Sequence, residues 1–315
     1  MINDPLSIKL HVFIKTFIMR ILFFAMSLML LAACSSLTEV TVNDKIVEVP
    51  RPPMMVKVDN NLFMDETEIS NINYREYLYW VKMIYGNESK NYVTALPDTT
   101  VWRTEKGYNE PYVQVYFRHP AYNDYPVIGI SYEQALNYAK WRSDRVFEQV
   151  LLQKEKITYV KQTVDNYFSI EKYYNGKIQG VQPDYTIPFP KYRLPTKTEW
   201  ETAAKGSTND NYGVNIENRN VKKAQKKAWK LFNVDYGSEQ EYSITASVNS
   251  FLENDFGIYN MIGNVGEMVA EQGIAKGGSW QHSLVESKIY NDLTYEKPAR
   301  WLGFRNVCEY RYWGN

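Results

Sequence analysis

The segment Gly257-Ile258-Tyr259-Asn260-Met261-Ile262-Gly263-Asn264-Val265-Gly266-Glu267-Met268-Val269 decides how this 315-residue chain is read. Gly and Asn punctuate short apolar runs, which signals tight turns and short strands rather than a helix. The segments before it carry the opposite signal. Thr196 and Glu199 form a capping-box pattern, which predicts a helix with Trp200, Ala203 and Ala204 facing inward and Gly206 closing it. Further upstream, Ser131 and Gln134 predict a second helix, whose apolar stripe begins at Ala135, Tyr138 and Ala139 and continues through Val146, Val150 and Leu151. Ser70 caps a third, with Tyr74, Tyr77, Leu78 and Val81 on one face, and Val56–Met64 reads as a strand ahead of it. The pattern predicts an α+β fold with much irregular structure. It places one domain at residues 56–315, with an insertion at about 142–190 that reads as a long helix followed by a Tyr-rich stretch.

Composition narrows the possible functions. Lys plus Arg number 36 and Asp plus Glu number 36, so the formal net charge is zero. Nucleic-acid scaffolds carry a strong basic excess, and no nucleic-acid partner is expected here. Hydrophobic residues at 44% and charged ones at 23% suit an ordered globular chain. The 26 Tyr and 8 Trp suit a loop-rich fold in which polar ring tips find partners in irregular backbone. Only 2 Cys and 3 His are present, which excludes a disulfide framework and a multi-Cys zinc site. The Lys-dense run at 221–230 reads as a solvated face, with acidic lipid or a partner as the alternative.

The N-terminus carries a targeting signal. Met19 to Cys34 runs as one Arg, an apolar stretch and small residues ending in Cys, too short to span a bilayer comfortably. Leu31-Ala32-Ala33-Cys34 is similar to a bacterial lipobox, so residues 1–33 are expected to be a lipoprotein signal peptide and Cys34 the lipidated mature N-terminus. Met19 is a candidate start, and a plain secretory signal or anchor helix is the alternative. Diacylation supplies enough apolar chain for stable anchoring. The mature chain would hold 33 basic and 35 acidic residues. Residues 34–55 are polar, with Pro50, Pro52 and Pro53, and read as a tether. No acidic run follows Cys34, which points to a periplasm-facing outer-membrane location. Cys308 is then the lone thiol, expected to be buried and inert.

Four blocks in order carry a family resemblance: Met64-Asp65-Glu66-Thr67-Glu68-Ile69-Ser70-Asn71 with Tyr74; Pro126-Val127-Ile128-Gly129-Ile130-Ser131-Tyr132 with Ala135 and Trp141; Tyr192-Arg193-Leu194-Pro195-Thr196 through Ala204; and Gly257 through Val269. Lys276-Gly277-Gly278-Ser279-Trp280 and Gly303-Phe304-Arg305 complete the set. Together, over about residues 56–312, the chain resembles the formylglycine-generating-enzyme (sulfatase-modifying factor, SUMF/EgtB/PvdO) domain superfamily. That resemblance implies a modified C-type-lectin-like fold. Tyr77-Leu78-Tyr79-Trp80, Tyr108-Asn109-Glu110-Pro111 and Tyr116-Phe117-Arg118-His119-Pro120-Ala121-Tyr122 further resemble gliding-motility lipoproteins of the GldK and GldJ type, which belong to the gliding and type IX secretion machinery of Bacteroidetes.

The resembling enzymes oxidise a substrate Cys to formylglycine with copper held by two thiolates, soft ligands suited to Cu(I). The first Cys lies three residues after the Ser of Gly-Gly-Ser and the second five further on; counted here, these positions are His282 and Ser287. No copper is therefore expected, and a single imidazole at His282 reads as a structural group. A branch that holds non-haem iron with three His finds only His119 and His282 outside the presequence, which contains His11. The reading is a pseudoenzyme without catalytic residues. The alternative is a formylglycine-generating or related oxygenase-type enzyme with an altered metal site.

The resemblance also implies a structural calcium held by the Asn260 side chain and the carbonyls of Met261, Gly263 and Val265, oxygen ligands on a tight turn; a hydrogen-bonded Asn/Gly turn is the competing reading. A second calcium site would start at Asn233 and Val234, with Gln240 standing where its Asp is expected, beside Glu239 and Glu241. By the same resemblance, the groove around Trp280, Gln281 and His282 is expected to accept a partner segment, with the 142–190 insertion as a second candidate surface. The expected role is a lipid-anchored structural or binding component of a cell-envelope assembly, with envelope proteins as partners. Glycan binding rests on fold analogy alone.

Overall fold

A computed structural model describes residues 36–103, 108–208, 210–213, 231–237, 244–251 and 253–314. The expected signal peptide at 1–33, Cys34, the Lys-dense run and residues 239–241 lie outside the described residues. The chain divides into two units, Met1–Pro53 and Met54–Asn315. Among the described residues, no helix is long and apolar enough to cross a membrane.

In the first unit, strands β1 (Leu37–Val42) and β2 (Lys45–Pro50) pair antiparallel from Leu37 opposite Pro50 to Val42 opposite Lys45. Asn43 and Asp44 link them at φ 50° and 62°, the left-handed pair that a two-residue hairpin turn demands and that Asn and Asp tolerate. The tether expectation for 34–55 is corrected over this span. The Val and Thr residues around that turn favour paired strands, and the Arg51 amide donating to the Ser36 carbonyl extends the hairpin by a further bond.

The second unit opens with β3 (Met55–Asp59) and β4 (Leu62–Asp65), so the single strand expected over Val56–Met64 is a hairpin. Helix α1 (Asn71–Tyr85) starts at a capping box in which Ser70 and Asn73 exchange hydrogen bonds, and it buries Tyr74, Tyr77, Leu78 and Val81 as its stripe predicts. Two short helices, α2 (Lys90–Ala95) and α3 (Glu110–Val115), follow. Helix α4 (Tyr132–Gln153) begins at the Ser131/Gln134 box and runs the full expected length. Its stripe buries Phe147 where the sequence reading placed Val146, and the next turn before it buries Arg142, Ser143 and Asp144.

The 142–190 insertion does follow a long helix, but it is not merely a loop. Its helix α5 (Ile170–Tyr174) and Phe168 seat aromatic rings on Phe147, forming a satellite core with Val150 and Leu151. Strand β5 (Phe189–Arg193) and helix α6 (Lys197–Lys205) come next; the Thr196/Glu199 box caps α6, and Trp200, Ala203 and Ala204 are buried.

The remaining strands are short: β6 (Gly266–Met268), β7 (Ile274–Lys276), β8 (Leu293–Thr294), β9 (Leu302–Gly303) and β10 (Val307–Arg311). They complete two four-stranded sheets, ordered β3-β4-β10-β5 and β8-β7-β6-β9; β6 and β9 pair parallel and the other neighbours antiparallel. The fold is α+β, as expected. Helix α4 is pinned to edge strand β5 by the Tyr192 amide donating to Ser143 Oγ at 2.8 Å, and to β4 by Arg142, whose guanidinium meets the Asp65 carboxylate at 2.7 Å.

One buried cluster joins the family-like blocks. Arg305 is fully buried and grips Glu267 through Nε and Nη2, both at 2.6 Å. Trp200 Nε1 donates to the same carboxylate at 2.7 Å, and Arg305 also donates to the carbonyls of Asp65 and Tyr259. Replacing Arg305 with Leu strands the Glu267 charge in the interior. Chemical denaturation of that variant should show a loss of about 3–5 kcal/mol, the usual cost of removing one partner of a buried pair.

Candidate functional site

The residues at the two expected thiolate positions sit in the turns after β7. Gly277 and Gly278 leave the strand at φ 86° and 73°, backbone that favours glycine. The chain then folds back on Ser279, whose buried Oγ accepts from the Gln281 amide at 3.1 Å and lies 2.6 Å from His282 Nδ1. The His282 ring stands edge-on to Trp301 with centroids 4.8 Å apart, and its carbonyl accepts from the Asp235 amide. Burial holds the imidazole below its ordinary value, with Glu286 opposing, so the ring is neutral near pH 7.

The second position, Ser287, is buried, and its hydroxyl donates to the Ser283 carbonyl at 2.9 Å. It is packed directly against Gly278: a Cβ added there would fall 1.8 Å from Ser287 Oγ. Both positions are therefore filled by side chains already committed to local hydrogen bonds. Cys308, the other cysteine besides Cys34, lies in β10 paired with Tyr192 on one side and Phe63 on the other. Burial pushes its thiol well above the ordinary value, which makes it inert, as its isolation in the sequence suggested. The ligand set for copper does not fit these residues.

The three-His arrangement does not form among the described residues either. His119 caps the short turn Pro120–Tyr122, with Nδ1 accepting from the Ala121 amide at 3.2 Å, while His282 serves a different turn. Among the described residues, no group of three or more His, Cys, Asp or Glu side chains is placed to hold a metal ion.

The turn containing Asn260 and Asn264 is built around a residue whose role the sequence reading missed, Glu68. Both Asn residues adopt left-handed backbone, at φ 54° and 59°. Their Nδ2 groups donate to the two oxygens of the buried Glu68 carboxylate, at 3.1 Å from Asn260 and 2.8 Å from Asn264. Asn264 Oδ1 accepts from the Ala246 amide and from Asn233 Nδ2, so Asn264 is a fully used clasp. Gly263 lies against the Asn233 carbonyl so closely that a Cβ would fall 2.5 Å from that oxygen. Asn233, the proposed start of the second calcium site, thus works as a brace for the first turn. Burial pushes the Glu68 carboxyl up to about 8, opposed by Arg305 and assisted by Glu267. Nothing in the run Met64 to Asn71 distinguishes this buried Glu from the neighbouring Glu66.

Asn260 differs from Asn264 in one respect. Its Nδ2 also donates to the Val248 carbonyl at 2.9 Å, but its buried Oδ1 has no hydrogen-bond partner among the described residues. An orphaned buried oxygen costs about 1–3 kcal/mol unless something meets it, and a hard cation is one group that would. The donor set of the expected calcium site fits on this count.

The groove residues separate. Trp280 is only 7% exposed and stacks on Trp102 at 6.2 Å, in a core cluster with Tyr116 and Val265. Its ring is a core group, which corrects its expected part as an aromatic anchor for a partner. Gln281 and His282 are half-buried and still border the surface.

Comparison with known proteins gives the family. The sulfatase-modifying factor enzyme 1-like domain family matches residues 30–310. The chain belongs to that family. The formylglycine-generating enzyme of Thermomonospora curvata is 38% identical over 83 residues, a match that spans 25% of this chain and 27% of the relative. Three solved structures are similar to the chain: Treponema denticola variable protein 1, with 16% identity and a TM-score of 0.41 over 87% of this chain and 99% of that one; CarF, with 18% and 0.46 over 79% and 86%; and PvdO from Pseudomonas aeruginosa, with 16% and 0.44 over 87% and 91%.

Proposed function

We propose that this sulfatase-modifying-factor family member is a lipid-anchored, non-catalytic protein that serves as a structural or binding component of a cell-envelope assembly of the gliding-motility or type IX secretion kind. The observation that carries the reading is the state of the two ligand positions. His282 is tied to Ser279, Ser287 is packed on Gly278, and Cys308 is buried in a sheet. Copper oxidation needs two thiolates converging on one ion, and this chain offers neither position for it. Meanwhile the interior that builds the domain is intact, from the capped helices to the Arg305–Glu267 pair. A retained scaffold with altered ligands fits recognition better than turnover. An enzyme with an altered metal site is the second reading; it draws on the family and on the likeness to the Thermomonospora curvata enzyme, and it would need ligands from elsewhere in the chain.

Anchoring follows from the lipobox. In this reading Cys34 carries the lipid, the domain faces the periplasm from the outer membrane, and envelope proteins of a secretion or motility complex are the partners. The half-buried Gln281 and His282 and the surface of the 142–190 insertion are the places for contact.

Calcium enters as a structural ion. Asn260 Oδ1 would supply one ligand, joined by the carbonyls of Met261, Gly263 and Val265, and the ion would hold the turn that Glu68 clasps.

Three outcomes are expected. Incubation with copper, oxygen and a sulfatase-derived peptide should leave the peptide Cys unmodified by mass spectrometry; turnover to the aldehyde would favour the enzyme reading. Cys34→Ala should move the protein from the membrane to the soluble periplasmic fraction and remove its co-purifying envelope partners; unchanged membrane retention would defeat the anchor. EDTA should lower Tm by about 5 °C relative to calcium at a hundredfold excess over Kd, and Asn260→Ala should abolish that response.

A further inference from the structure

The outer side of α4 carries a cleft that neither the thiolate positions nor the Asn260 turn uses. Its volume is about 630 Å³, within the range of about 300–1,000 Å³ typical of small-molecule sites. Helix α4, the start of α5, strand β5 and the residues after β10 enclose it. The apolar lining includes Leu136, Phe189 and Trp313, and Trp313 is held by stacking on Tyr174 at 5.1 Å and 11°.

Charged side chains of both signs line it, and not all of them are paired. Four cationic side chains line the cleft, Lys140, Lys191, Arg193 and Arg311, against two carboxylates, Asp144 and Glu171. Lys140 pairs with Asp144 at 3.8 Å, and Arg193 pairs with Glu199 at 2.7 Å. Lys191 lies directly across the strand pair from Glu309, yet Glu309 Oε1 is taken by Arg193 at 2.9 Å and by Arg311 at 2.7 Å. Lys191 is left without a carboxylate partner among the described residues. Desolvation and the neighbouring Arg311 both hold its ammonium below the ordinary value, with Glu309 only partly opposing. A half-buried lysine with no carboxylate partner among the described residues, lining a largely apolar cleft, favours a ligand that brings one negative charge and an apolar body.

We propose that this cleft binds a small amphipathic monoanion, an aryl or alkyl carboxylate whose charged end meets Lys191 and Arg311 while its body lies along Trp313, Phe189 and Leu136. A cation at that end would meet Lys191 and Arg311, whereas Glu171 stands beside Asp144 and Lys140 on the α4–α5 side. A neutral ligand would leave Lys191 unpaired, and a dianion would exceed the single free charge. The 142–190 insertion gains a purpose here, because α5 supplies one wall and Tyr174 props the Trp313 ring.

The test uses the full chain in detergent and the fluorescent anion 8-anilinonaphthalene-1-sulfonate as reporter. The wild-type chain should give a saturable emission increase that 4-phenylbutyrate reverses and the uncharged alcohol 4-phenylbutan-1-ol does not. Lys191→Glu should weaken dye binding at least about tenfold, the scale of a charge-assisted contact, while Lys191→Arg should retain it. Cooperative urea unfolding of each variant separates loss of the site from loss of the fold, since a loosened core also binds this dye. Unchanged dye affinity in a folded Lys191→Glu variant, or equal displacement by the acid and the alcohol, would overturn the proposal.

Discussion

The domain depends on one ion pair. Arg305 and Glu267 meet with almost no solvent contact, at 0% and 1% side-chain exposure. An isolated pair in that setting gains little, because desolvation offsets most of the attraction. What makes this pair work is the number of additional partners. The indole of Trp200, the carbonyl of Asp65 and the carbonyl of Tyr259 all end on it. Each comes from a different part of the chain: the α6 helix, the strand before α1 and the Asn-rich turn. A short β6 of three residues could not hold those parts in register through its own ladder. The charge network holds them instead, and the Glu68 clasp on Asn260 and Asn264 extends it by one further layer.

Much of this was legible in the sequence, and the reasons are local. Two capping boxes and a capping Ser announced three helices, since a Ser or Thr at the start of a helix satisfies orphan amides without help from the rest of the fold. The Asn- and Gly-rich turn was legible because left-handed backbone restricts which residues can occupy it. What escaped was decided by tertiary contact. Phe147 enters the core because Tyr173 and Tyr174 arrive from a segment more than twenty residues away to cover it. The β1–β2 hairpin was hidden by the prolines that follow it, which drew the eye to a tether.

The candidate site divides along the same line. Counting from Ser279 located His282 and Ser287, and composition alone showed that neither was a thiol. Their hydrogen bonds and the pressure of Gly278 on Ser287 needed coordinates. Glu68 escaped because a buried carboxylate and an exposed one look alike in sequence. Trp280 misled for a related reason. A Trp beside a groove suggests an anchor, yet a ring stacked on Trp102 is spent on the interior.

The contact between Gly278 and Ser287 also bears on how such a chain can change over time. A thiolate pair would require substitutions at 282 and 287 together, because either cysteine alone gains no copper chemistry. The substitution at 287 would also place a larger atom in a fully buried position already pressed against backbone. The first step on that route costs stability and returns no activity. Selection acting one residue at a time therefore finds no downhill path to a thiolate pair at these two positions.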